Sequence, residues 1–245
     1  MDEKSLFTKF WTGESKTTRD VLARIPEGSD YGQRALTAAD GCRVRSWGRS
    51  DTLPPMSSAT GARHTYPHTI DNGAGERITF LGRVLGPNGE RVEGESVTGP
   101  GAGPPMHVHL RQVESFTVVS GRMGYQRRGG GELFAGPGET VTFPAGVAHR
   151  FWNQGPDDLQ CTGYIEPPDN VEYFLGEMFA SARRRGATAP DPFDAAWLWW
   201  RYRDEFAMVE IPVPVRRVVF PVLVAIGTLL GKYRKYADAP PSIGR

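Results

Sequence analysis

Between residues 67 and 166 the chain alternates short hydrophobic–polar runs with clusters of turn residues. RITFLGRVL, ESFTVVSG, ETVTFP and LQCTGYIEP carry β-branched and aromatic side chains at strand length, and PNGE, GRMG, RRGGGE, AGPGE and GPDD punctuate them. Such runs at a spacing of roughly 8–12 residues predict an antiparallel sandwich or barrel. The flanks read differently. Residues 1–66 hold one short helical pattern, SKTTRDVLARIP, with Ser15 or Thr17 as cap and Pro26 beyond its end, then scattered Gly, Ser, Thr and Pro with little periodicity. This predicts an irregular N-terminal extension, partly helical or flexible. Residues 167–245 turn helical. NVEYFLGEMFASARR is capped by Asn170 and stopped by Gly186. DPFDAAWLWWRYRDEF is capped by Asp191 or Asp194 and ends before the IPVP break at Ile211. VRRVVFPVLVAIGTLLGKYRKY follows, with Pro221 in its first turns.

Composition narrows what such a molecule does. A formal net charge of +1 supplies no global field for nucleic acid, and no helix-turn-helix pattern precedes the β region. Cys42 and Cys161 form neither a CxxC pair nor a disulfide framework, which fits a reduced, cytoplasmic compartment. Cys161 reads as a small buried hydrophobe. The opening MDEKSLFTKFW lacks the basic-then-apolar order of a signal peptide. The longest apolar run, Val218–Gly231, spans about 21 Å as a helix, short of a roughly 30 Å hydrocarbon core. Arg216, Arg217, Lys232, Arg234 and Lys235 flank it. Burial of this run against the protein is expected, with peripheral membrane contact through 216–235 the less favoured reading. The aromatic stretch AWLWWRYRDEF is expected on the outside of the β region or against a second subunit. RRGGGE lacks the Lys-Ser/Thr of a phosphate-binding loop, and no serine sits in a nucleophile-elbow context.

Histidine placement carries the chemistry. Of five histidines, His107 and His109 stand one residue apart, so in a strand they face the same side. A bent strand brings Glu114 to that face, with Phe116 after it. In PAGVAHRFWN, a Pro-x-Gly turn leads to a strand on which His149, Phe151 and Asn153 share a face. A polar strand surface, a hydrogen-bonded histidine pair and a metal site all compete for this pattern. Three imidazoles and a carboxylate suit borderline divalent cations, and a barrel mouth can gather them around a small molecule. His64 and His68 precede the β region and are expected in solvent.

The two stretches resemble the two signature motifs of the cupin superfamily. The first reads His107-x-His109, four residues, Glu114, six residues, Gly121, with Gly103 or Gly101 as a displaced leading glycine. The second keeps every spacing: Gly138, Pro144, Gly146, His149 and Asn153. The resemblance covers residues 67–166. It implies a mainly β, antiparallel jelly-roll barrel; the irregular N-terminal extension (1–66) and the helical C-terminal region (167–245), the latter expected to pack on the barrel or on a partner, lie outside the resemblance. It implies a divalent metal, Fe, Mn, Ni or Zn, held by His107, His109, Glu114 and His149, and left-handed turns at Gly121, Gly138 and Gly146. Glu114 is the candidate catalytic base; Phe116, Tyr125, Phe151 and Asn153 are candidates for a substrate pocket, though the aromatics fit a core role as well. The implied function is a small-molecule metalloenzyme of dioxygenase type. The alternative is a non-catalytic binding or sensing module, since one barrel hosts many chemistries. A homodimer is a further expectation from the resemblance. The stretch FTKFWTGESKTTRDVLARIPEGSDY also resembles the opening of DinB-like four-helix bundles, but the histidine-bearing helices of that family do not follow, and no function is carried from it.

Overall fold

The computed structural model describes residues 65–244, which lie within one compact unit. The expectations for residues 1–64, including the helix after Ser15 and the placement of Cys42 and His64, fall outside the described residues.

Ten strands follow in order: β1 (His68–Asp71), β2 (Glu76–Gly86), β3 (Gly89–Thr98), β4 (His107–His109), β5 (Val113–Ser120), β6 (Met123–Arg127), β7 (Leu133–Ala135), β8 (Thr140–Phe143), β9 (His149–Asn153) and β10 (Leu159–Glu166). A further strand, β11 (Phe206–Met208), arrives from the C-terminal region. One sheet runs β1-β2-β3-β10-β5-β8 and the other β11-β4-β9-β6-β7. Every pairing is antiparallel. The chain crosses between the sheets in the jelly-roll manner, and the apolar residues of its alternating runs meet in one core. Val118, Met123, Phe143, Leu159 and Cys161 are buried there. Each large side chain in such a core stabilises the fold by about 1.5–3 kcal/mol.

The expected turns are present. Gly121 and Gly138 have φ of 85° and Gly146 of 77°. At Gly121 a Cβ would also stand 2.9 Å from the Leu159 Cα, so strand β10 leaves no room for a side chain. Several strands had no clear sequence signal, β3 and β1 among them. β3 (GERVEGESVT) is rich in charge, yet it lies between β2 and β10 and buries Val92 and Thr98. β1 pairs with β2, which corrects the placement of His68. Its side chain is 15% exposed and lies 3.9 Å from Glu172, with its ring 4.9 Å from that of Phe80. Strand pairing with β2 turns this histidine inward from the solvent position expected for it.

Three α-helices, α1 (Val171–Arg185), α2 (Pro192–Arg201) and α3 (Phe220–Leu229), complete the described chain with a π-helical segment (Val215–Val219) that runs into α3 and a 3-10 turn (Arg234–Tyr236). α1 ends in a left-handed Gly186 at φ 62°. Asn170 precedes it but does not cap it with its side chain; its Nδ2 donates to buried Glu205 at 2.8 Å instead. Glu172 docks α1 on β2, accepting from Arg83 Nε at 2.8 Å and from the Tyr66 hydroxyl at 2.9 Å. Asp191 caps α2 by accepting from Phe193 N at 2.9 Å. α2 stops at Arg201, five residues before the expected end at Phe206. The reason is tertiary. Phe206–Met208 pairs with β4, and cross-strand bonding wins over the helical pattern of RYRDEF. The division at residue 166 therefore does not separate barrel from helices, because a strand from beyond it joins the sheet.

The apolar run 218–230 departs from expectation more strongly. Phe220 and Gly227 are buried, but Val218 is 60% exposed, Val222 52%, Leu229 88% and Leu230 64%. α3 packs on α2 along one side, and no described element covers the other. No helix among the described residues is long and apolar enough to cross a membrane.

Candidate metal centre

Strand register gathers the site. β4 carries His107 and His109, and His107 is the direct cross-strand partner of His149 on β9. The turn at Leu110–Gln112 reverses the chain into β5, in the other sheet, and presents Glu114 across the barrel. One ligand atom from each of His107, His109, Glu114 and His149 lies within 4.8 Å of every other. His109, Glu114 and His149 are buried and His107 is half-buried. The His149 Nε2 sits 2.9 Å from Glu114 Oε2, and the His109 Nε2 sits 3.8 Å from the same oxygen.

The opposite edge of each imidazole is tied down. His107 Nδ1 lies 2.9 Å from the Pro105 carbonyl and His149 Nδ1 lies 2.8 Å from the Val147 carbonyl. His109 Nδ1 lies 2.8 Å from Gln112 Oε1, while the Gln112 Nε2 donates to the Pro168 carbonyl at 3.1 Å. All three partners are acceptors, so each Nδ1 can donate to its own partner, which turns each Nε2 toward the centre, where it is able to bind a cation once it gives up any proton it holds. A histidine pair held only for packing has no need of that arrangement.

Electrostatics point the same way. Burial drives the His107 pKa down to about 3, helped by the neighbouring His109 charge. Burial opposes ionisation of Glu114, but the His109 charge and the His149 hydrogen bond outweigh it and hold its pKa near about 2. At neutral pH the site thus presents a neutral His107 and a carboxylate, the forms a cation needs. Three imidazole nitrogens and one carboxylate oxygen converging at this spacing fit a borderline divalent ion.

The other candidate residues divide. Phe151 is buried in the core, and Phe116 and Tyr125 pack against it. The Phe116 and Phe151 rings are 4.7 Å apart. Asn153 is 2% exposed, and its amide locks backbone: Nδ2 donates to the Thr98 and Asp157 carbonyls at 2.7 Å each, and Oδ1 accepts from Gly155 N at 2.8 Å. It fixes the turn after β9, which leaves no amide group free to face a substrate. Arg111 pairs with Asp169 at 3.1 Å, so it does not compete for Glu114. Two residues matter more than sequence suggested. Gln112 is fully buried and orients His109. Phe143 stacks on His149 at 3.9 Å with an interplanar angle of 4°. Both lie next to a motif, but Gln112 reaches back to His109 from the β4–β5 connection and Phe143 reaches His149 from the opposite sheet, which motif spacing alone does not reveal.

Comparison with known proteins agrees with this picture. Residues 94–163 match the family model described as "Cupin domain". The chain is similar to a probable oxidoreductase, virH, of Hypocrea virens (32% identity over 80 residues, 32% of this chain and 36% of that protein). It is similar also to the oxidoreductase iacF of Pestalotiopsis fici (32% identity over 79 residues, 31% of this chain and 39% of that protein). The matched region thus spans well under half of either relative. Among solved structures, KdgF from Halomonas sp. aligns at 19% identity and a TM-score of 0.33, covering 37% of this chain and 80% of that one. A sugar phosphate isomerase of the cupin superfamily from Silicibacter pomeroyi aligns at 18% identity and a TM-score of 0.34, covering 41% and 71%. Two antiparallel sheets, both signature motifs at their spacing and the matching family model lead to one conclusion: residues 94–163 of this chain form a cupin domain.

Proposed function

We propose that the barrel is a metal-dependent oxidoreductase domain acting on a small organic molecule at a divalent centre held by His107, His109, Glu114 and His149. The observation that carries the reading is the tautomer lock: every ring has its Nδ1 on an acceptor and its Nε2 turned to one point shared with Glu114. The names of the two matched relatives support the oxidoreductase class. A divalent transition ion bound there supplies an electrophilic or redox centre with open positions for a small molecule.

The chain's own residues set the conditions. Gln112 and the Pro105 and Val147 carbonyls orient the rings. Phe143 covers one face of His149 and excludes water from it. Glu114 is held ionised as a ligand, and serves as a base toward a bound molecule only if it loosens from the ion. Dioxygenase-type chemistry is the specific form we favour.

Oxygen-consumption assays of the metal-reconstituted protein against small phenolic and carbonyl compounds test the reading. Turnover that disappears in His107→Ala supports it. Binding without turnover, for every metal and substrate class tried, would leave the barrel as a binding or sensing module.

A further inference from the structure

A second concavity lies beside β11, between α2 and the segment leading into α3. It is formed by Trp199, Trp200, Arg203, Phe206, Arg216 and Arg217 together with smaller apolar residues, and its volume is about 220 Å3. None of the metal-site residues lines it. Three arginines line its wall and no acidic residue does. Among the described residues none of the three makes a salt bridge. Arg203 is held flat, its guanidinium 4.7 Å over the Trp200 ring and its Nη1 donating to the Trp200 carbonyl at 2.7 Å.

Two buried donors are also left over. Trp199 is 8% exposed, and its Nε1–H has no partner; the Nε–H of Arg216 has none either. A buried donor without an acceptor is costly, because it has given up its water without replacing it. Both residues line the same cavity, and both supply protons only. The remaining wall is aromatic and aliphatic. Arginines without acidic partners, unpartnered donors and an apolar wall together describe a receptor for a molecule that brings acceptors, negative charge and hydrocarbon.

We propose that this cavity binds a small organic anion, an anionic head group on an apolar body, as a site separate from the metal centre. The volume lies below the roughly 300–1,000 Å3 of sites for drug-sized ligands, so the occupant is small. Phe206 links the two sites physically. It lines the cavity, and its ring meets that of His109 edge-on at 5.5 Å.

Calorimetric titration of the metal-free full chain with octanoate, below its micellar concentration, tests the proposal. Saturable binding is expected, with octanol and acetate binding at least about tenfold more weakly because each lacks half of the recognised chemistry. The double variant Arg216→Gln/Arg217→Gln should weaken octanoate by about 10- to 100-fold. Arg217→Gln alone, at an exposed position, gives a smaller loss in the same direction and serves if the pair does not fold. Co-sedimentation with phosphatidylglycerol vesicles separates the sources of the head group. Sedimentation reversed by octanoate assigns a lipid head group to this cavity, and no sedimentation beside octanoate binding assigns a free acid. Absence of saturable octanoate binding, or equal affinity in the arginine variants, overturns the proposal and leaves water as the partner of Trp199 and Arg216.

Discussion

Gln112 shows how much of the site rests on a side chain that touches no substrate. Its carboxamide bridges His109 Nδ1 and the Pro168 carbonyl while fully buried. Replacing it with methionine keeps the volume and removes the acceptor. His109 is then free to rotate, and metal affinity should fall by about 10- to 100-fold with the fold intact. Competition with a chelator of known affinity reads that loss; unchanged affinity would show that His109 is oriented by packing alone. Glu76 gives a second expectation, about stability. Burial raises its pKa from 4.5 to about 6, only partly offset by the hydrogen bond from Asn72. The folded state therefore holds this proton more tightly than the unfolded state. The associated stabilisation is present below the unfolded value, is lost as pH rises through about 6, and is of order 1–2 kcal/mol. Urea denaturation at the two ends of that window, in wild type and Glu76→Gln, should show this contribution only in wild type. The residues that sequence left illegible belong at this scale. Both imidazole motifs could be found by spacing, but Phe143 reaches His149 only because β8 and β9 bring them together, and no local pattern encodes that.

At the scale of elements, β11 is the lesson. Its first residue, Phe206, closes a helical pattern in sequence, yet the strand pairs with β4 and backs the histidine strand. Phe206 sits at the junction, 3% exposed, stacked on Phe174 at 4.5 Å and edge-on to His109. Phe206→Ala should cost about 3–5 kcal/mol of stability, as aromatic-to-alanine changes in well-packed cores do, and should weaken metal binding as well. Thermal denaturation and metal titration measure the two effects. A stable variant with unaltered metal affinity would show that β11 is not a support of the site. The hairpins, by contrast, were legible. PNGE and RRGGGE turn the paired strands β2–β3 and β6–β7, and AGPGE carries the chain from β7 in one sheet to β8 in the other, because turn chemistry is local. β3 escaped because its apolar content is low, and its place is fixed by neighbours on both sides.

For the whole molecule, the barrel's identity followed from two short motifs, while the C-terminal region's packing did not. α1 and α2 bury Phe174, Trp199 and Tyr202 against one another and against β11, so the aromatic stretch is core. The apolar run around α3 keeps one face exposed, since a helix of ten residues beside a single neighbour has only one side to bury. The ligands and the groups that orient them all fall between Pro105 and Pro168. Deleting residues 1–60 should therefore leave metal stoichiometry unchanged by elemental analysis, and loss of the metal would assign that segment a part in the centre.

The central claim is that four side chains converge to hold an ion. Elemental analysis of protein purified without chelators or a histidine tag, beside Glu114→Ala, tests it most directly. The account predicts about one divalent transition ion per chain, lost in the variant. No ion in the wild-type protein after reconstitution, or an ion kept undiminished by Glu114→Ala, would contradict it.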